Sequence, residues 1–216
     1  MAGIRVALEI GSKRVFASAL EWPGWCRQGK NPELALAALE AYAPRYTRVV
    51  SRAGVKLPAK IDFDVVERLK GDATTDFGAP GIPAAFEGKP MTKAEVEKVC
   101  ALVEACWAEL DSVVKKAPQE LRKGPRGGGR DRDKMFDHVL GAESGYAPRL
   151  GIKLSQPAID DRKSILANRT AILDAIREGA SGKPVGERGR PARYMARRIA
   201  WHALDHAWEM EDRSEA

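Results

Sequence analysis

The hydrophobic period of this chain changes once along its length, and that change limits the folds open to it. Residues 4–10, IRVALEI, put Ile4, Val6, Leu8 and Ile10 on one side and Arg5, Ala7 and Glu9 on the other. A period of two marks a strand. From residue 91 onward the apolar residues recur instead at the three-to-four spacing of helices. Between the two lies GDATTDFGAPGIPAAFEGKP, residues 71–90, rich in glycine and proline and carrying neither period. The expected fold class is therefore α+β in two domains: a small α/β domain over residues 1–75, a Gly/Pro-rich linker over 76–90, and a helical domain over 91–216.

Within the first portion, Gly11-Ser12-Lys13 is turn-like and RVFASAL (14–20) pairs back as a hairpin. Asn31-Pro32 opens a helix that Pro44 should stop, a weaker extended piece surrounds Val55 and Leu57, and IDFDVVER (61–68) alternates again. In the second portion Thr92-Lys93-Ala94-Glu95 is a capping box, with Met91 and Val96 placed as its hydrophobic staple. Val96, Val99, Cys100, Val103, Cys106, Trp107, Leu110 and Val114 then mark one helical face. Further helices are expected at about 131–146, about 157–178, and from Pro191 to about Arg213. Four helices of this length with polar loops predict a four-helix bundle.

Composition narrows the function classes. The chain has 216 residues, with 36 Lys+Arg against 30 Asp+Glu for a net charge of +6. No apolar run approaches the ~20 residues of a membrane helix, and MAGIRVALEIGSKR mixes charges into its first apolar stretch, unlike a signal peptide. The three cysteines, Cys26, Cys100 and Cys106, are odd in number, which suggests reduced thiols and a cytoplasmic location. The cysteines read as structural: Cys100 and Cys106 fall among apolar neighbours, and Cys26, although in a loop where a thiol is open to reaction, has nothing near it in sequence to lower its pKa.

The chain contains three histidines, His138, His202 and His206. On the last helix, Met195, Ile199, His202, His206 and Met210 follow at steps of 4, 3, 4 and 4, so both histidines sit in the apolar stripe. Residues at i and i+4 are separated by about 40° around the axis, close enough to share a metal. His138 shares a stripe with Met135 and Ala142 on another helix. An isolated HxxxH pair is more often an interface pair, but a third inward histidine, with none elsewhere, favours a metal. Three neutral imidazoles with an open position suit zinc or nickel.

Several polar residues neighbour this stripe. Glu209, three residues after His206, is a fourth ligand, a general base, or a solvated residue near the helix end. Asp205 and Asp137 are placed to accept an imidazole N–H, and Arg198, one turn before His202 and one after Tyr194, to hold an anionic group. Residues 115–134 carry eight Lys/Arg against three acids, and residues 183–198 carry six against Glu187, so each run has a charge of +5. Arg190 and Arg193 in the second run are candidates for an anion-attracting rim. A solvated basic surface is the plainer reading of both runs. GPRGGG lacks a lysine at phosphate-loop spacing and follows a helix, so it is not a Walker motif.

Residues 91–213 resemble the DinB/YfiT-like superfamily of four-helix bundles, through His138, the His202-x-x-x-His206 pair and the closing stretch HALDHAWEMEDR. The resemblance implies a divalent metal, often zinc or nickel, on those three histidines. It also implies a thiol-dependent S-transferase or isomerase using a low-molecular-weight thiol such as mycothiol, with an electrophilic small molecule as second substrate. Residues 4–68 resemble a HicB-like domain of partial RNase H-like fold, through FASALEWPGWCRQGKNPELALAAL with Pro23, Gly24, Gly29 and Ala35. That likeness implies partner binding, so the rival reading is a non-enzymatic protein- or nucleic-acid-binding regulator. Under the leading reading nucleic acid is the less favoured partner, a membrane is excluded, and a homodimer is left open.

Overall fold

A computed structural model of the chain describes residues 3–124, 129–184 and 189–214. Residues 125–128 and 185–188, parts of the two basic runs, lie outside the described residues. The fold is α+β, with a four-stranded mixed sheet and seven α-helices among the described residues.

The strands are β1 (Ile4–Ile10), β2 (Val15–Ala19), β3 (Cys26–Gly29) and β4 (Phe63–Lys70), in the order β3-β2-β1-β4. β1 and β2 form the expected hairpin, with Leu8 opposite Ala17, and β4 lies parallel to β1, with Val6 opposite Val65. The crossover between β1–β3 and β4 carries α1 (Pro32–Ala41) and α2 (Ala43–Arg52). Asn31 caps α1 by accepting from the Leu34 N–H at 2.8 Å. α1 stops short of Pro44 as expected, but Pro44 also occupies the first turn of a second helix, α2, where its missing N–H is no loss. Between Arg52 and Phe63 the structure has no strand at Val55 and Leu57.

The Gly/Pro-rich stretch has structure of its own. It holds α3 (Ala73–Phe77), capped by Asp72, and a 3₁₀ turn at Ala85–Gly88. Glu9 of β1 ties it down by accepting from Thr75 Oγ1 at 2.6 Å, Gly81 N at 2.8 Å and Ile82 N at 3.0 Å.

The remaining helices are α4 (Lys93–Lys116), α5 (Arg132–Tyr146), α6 (Arg162–Glu178) and α7 (Ala192–Ser214). Thr92 and Glu95 form the expected capping box on α4. The four helices pack together, with α4 against α7 as the main seam. α7 is buried nearly all round, with none of its residues fully exposed. One side meets the other helices, and the other meets the sheet, where the Phe16 and Trp201 rings cross edge-on at 6.0 Å. The WPGW turn inserts between them: Gly24 has φ +92°, and a Cβ there would lie 2.8 Å from both Cys106 Sγ and Leu204 Cδ1. One contiguous apolar cluster consequently runs from Ile4 of the sheet to Met210 of α7. No described helix is long and apolar enough to cross a membrane.

Candidate metal centre

His138 projects from α5 and His202 and His206 from α7, and the packing of those helices brings all three together. One nitrogen from each lies within 4.8 Å of the others. The ring centroids are 5.0 Å apart for His138–His202, 5.1 Å for His138–His206 and 4.7 Å for His202–His206. His138 Nε2 and His202 Nε2 approach to 3.2 Å. Two nitrogens at that distance share either one proton or one cation. Two ligands 2.0–2.1 Å from a tetrahedral zinc are themselves about 3.3 Å apart, so the spacing fits the second case.

Protonation favours ligation. His202 is only 8% exposed, and burial, with His206 and His138 adding, pushes its pKa well below the usual histidine value. Burial, then Arg130 and His206, lowers that of His138. Both rings are therefore neutral at pH 7, the form that binds metal. Glu209 takes the outer nitrogen of His206, with Nδ1 and Oε2 3.1 Å apart, which leaves Nε2 for a metal. Arg213 Nη1 donates to the other oxygen of Glu209 at 2.9 Å. The hydrogen bond from His206, with Arg213 in support, lowers the Glu209 pKa, so the carboxylate is anionic. His202 Nδ1, by contrast, is buried with no hydrogen-bond partner among the described residues.

The other sequence candidates lie elsewhere. Asp205 accepts from Arg27 Nη1 at 2.9 Å, and Asp137 from Gln156 Nε2 at 2.7 Å, so neither touches an imidazole. Arg193, expected in an exposed rim, is 4% exposed, with Nη2 3.5 Å from Glu95 and its guanidinium over Phe86. Arg190 is exposed and lines a cleft with Arg198, whose Nη1 donates to Pro80 O at 2.7 Å. Tyr194 donates to Gly81 O at 2.8 Å. The loop placement of Cys26 meets a correction: the residue is fully buried in β3, and burial pushes its thiol up to about 12. Cys100 and Cys106 are buried as expected.

Sequence reasoning missed Tyr146, whose ring stands edge-on to His202 at 6.0 Å. The available signal was its spacing, two helical turns beyond His138 on the same helix.

Comparison of the chain with family models, with curated proteins and with solved structures gives no match.

Proposed function

We propose that His138, His202 and His206 hold a divalent metal, zinc or nickel, and that the chain is a cytoplasmic metal-dependent enzyme of the DinB/YfiT type. In this reading it is a thiol-dependent S-transferase or isomerase acting on a small electrophile. Residues 91–216 are then the DinB-like bundle, and residues 1–75 a HicB-like unit docked on α7 through the shared apolar core. The observation that supports the reading is the approach of the three imidazoles, with two Nε2 atoms 3.2 Å apart. When bound there, such an ion supplies Lewis acidity, which favours the thiolate over the thiol. The chain's own residues do the positioning. Glu209 orients His206 and raises its basicity as a ligand, and Arg213 in turn holds Glu209. That makes Glu209 a positioning residue rather than a general base.

Metal content of untagged protein, measured by mass spectrometry, tests the centre directly. Stoichiometric zinc or nickel that disappears in His202→Ala is the expected outcome. A panel of low-molecular-weight thiols with electrophilic acceptors then tests the reaction. Metal-free protein that also turns over no thiol leaves the HicB-like binding protein as the better reading.

A further inference from the structure

We infer that the cleft beside the histidines, between the end of α5, the start of α7 and residues 72–81, binds the oxyanion head of a small organic acid, a carboxylate or a phosphate. The cleft has a volume of about 200 Å³, and Asp72, Thr74, Tyr146, Arg149, Arg190 and Arg198 are among the residues that line it. That is below the ~300–1,000 Å³ of sites for drug-sized ligands and suits a headgroup.

The guanidinium groups of Arg190 and Arg198 share the cleft with one carboxylate, Asp72, which already accepts from Thr74 N at 2.7 Å and Thr75 N at 3.3 Å. Arg190 and Arg198 make no ion pair among the described residues. The head of Arg198 is nonetheless held still, by Pro80 O and by the rings of Trp201 and Tyr146 at 5.1 and 5.6 Å. A fixed guanidinium with unused N–H groups is preorganised for an oxyanion. The contrast is the larger arginine-lined cavity, of about 330 Å³, between α2, α4 and α7. There Arg45 pairs with Asp212, Arg48 with Glu109 and Glu211, and Arg52 with Glu109, so internal carboxylates already occupy the cations.

The location gives the ligand its second end. Arg198 precedes His202 by one turn of α7, about 6 Å along the axis, and Tyr146 lines the cleft while its ring meets His202. A short acid anchored by its head at Arg190 and Arg198 presents its other end to the histidines. That second half rests on the metal-centre reading; anion binding by the cleft does not.

Isothermal titration of the full chain at low ionic strength, metal-free and metal-loaded, with inorganic phosphate and with succinate, tests the inference. We expect at least one probe to bind the metal-free protein with a dissociation constant below about 1 mM, and the tighter probe identifies the head. Arg198→Gln and the exposed Arg190→Gln should each weaken binding about tenfold, while Arg48→Gln in the other cavity leaves it unchanged. Because Arg190 is exposed, its variant remains informative if Arg198→Gln does not fold. No binding of either probe up to about 10 mM, or an equal loss in Arg48→Gln, overturns the cleft as an anion site. Probe binding by a protein that takes up no metal keeps the cleft and overturns its link to the histidines.

Discussion

The helix α7 carries two buried polar constructions that face different ways and are built to opposite standards. Towards the sheet, Arg197 is fully engaged. Its Nε donates to Glu87 Oε1 at 2.6 Å, its Nη2 to Glu87 Oε2 and Ile82 O, both at 3.1 Å, and its Nη1 to Ser18 Oγ at 3.2 Å. Glu87, fully buried, also accepts from Ala84 N at 2.8 Å. Burial opposes the charge on Arg197, but the Glu87 carboxylate outweighs it and raises the guanidinium pKa. Towards α5, the histidines meet nitrogen to nitrogen, and His202 Nδ1 has no hydrogen-bond partner among the described residues. A buried polar group normally finds its partners. Where all are found, the group pins the fold; where imidazole nitrogens converge on one another, the arrangement calls for a shared proton or an ion.

The largest effect should come from breaking the finished construction. Arg197→Met leaves the Glu87 carboxylate buried without its cation, and we expect a loss of about 3–5 kcal/mol in urea denaturation. The double variant Arg197→Met/Glu87→Leu should recover most of it. A single variant as stable as wild type would erase the distinction between the two regions.

Metal should act on the other construction only. At a free concentration about 100 times the dissociation constant, zinc or nickel should stabilise the wild type by about 2.7 kcal/mol. His202→Ala and His206→Ala should abolish that gain. Its survival in both variants places the metal elsewhere.

Glu209 sharpens the contrast, because it is the one carboxylate hydrogen-bonded to the cluster among the described residues. Glu209→Ala should weaken metal affinity about 10- to 100-fold in a chelator competition. Asp205→Ala and Asp137→Ala should leave it unchanged, since those carboxylates serve Arg27 and Gln156.

A last effect is on acid stability of the metal-free protein. His202 and His138 have folded pKa values below the unperturbed value of about 6.5. Between the folded and unfolded values, the unfolded chain binds a proton that the folded chain refuses. Stability therefore falls as pH drops below about 6.5, by up to about 1.4 kcal/mol per pH unit for each such group. Denaturation midpoints between pH 7 and 5 should show this slope, and His202→Ala should reduce it. An unchanged slope in the variant assigns the acid sensitivity to other groups.

Much of the local structure was legible because it obeys local rules. The β1–β2 hairpin follows from a period of two and a turn, and the start of α4 from the Thr92–Glu95 box. The pairing of His202 with His206 follows from a four-residue step on one helix. Pro44 was half legible: α1 stops before it, but a proline after one helix serves equally well in the first turn of the next, and no local signal announced α2. The stretch 71–90 misled because its order comes from Glu9 and Arg197, which are distant in sequence.

By itself, then, the sequence determined the alternating strands, the capped helices and the placing of the histidines on their helical stripes. All of these depend on residues within a few positions of one another. Only the tertiary structure decided that α7 is covered by the sheet as well as by helices, which turns Arg193 and Arg197 from expected surface charges into buried ones. It also decided that His138 meets the pair on α7, that Glu209 hydrogen-bonds with His206, and that Arg190 and Arg198 share a cleft with Tyr146. The physical reason is one of range. Periodicity tells which side of a helix is apolar, but whether a charge on that helix is solvated or buried depends on what packs against it from elsewhere in the chain.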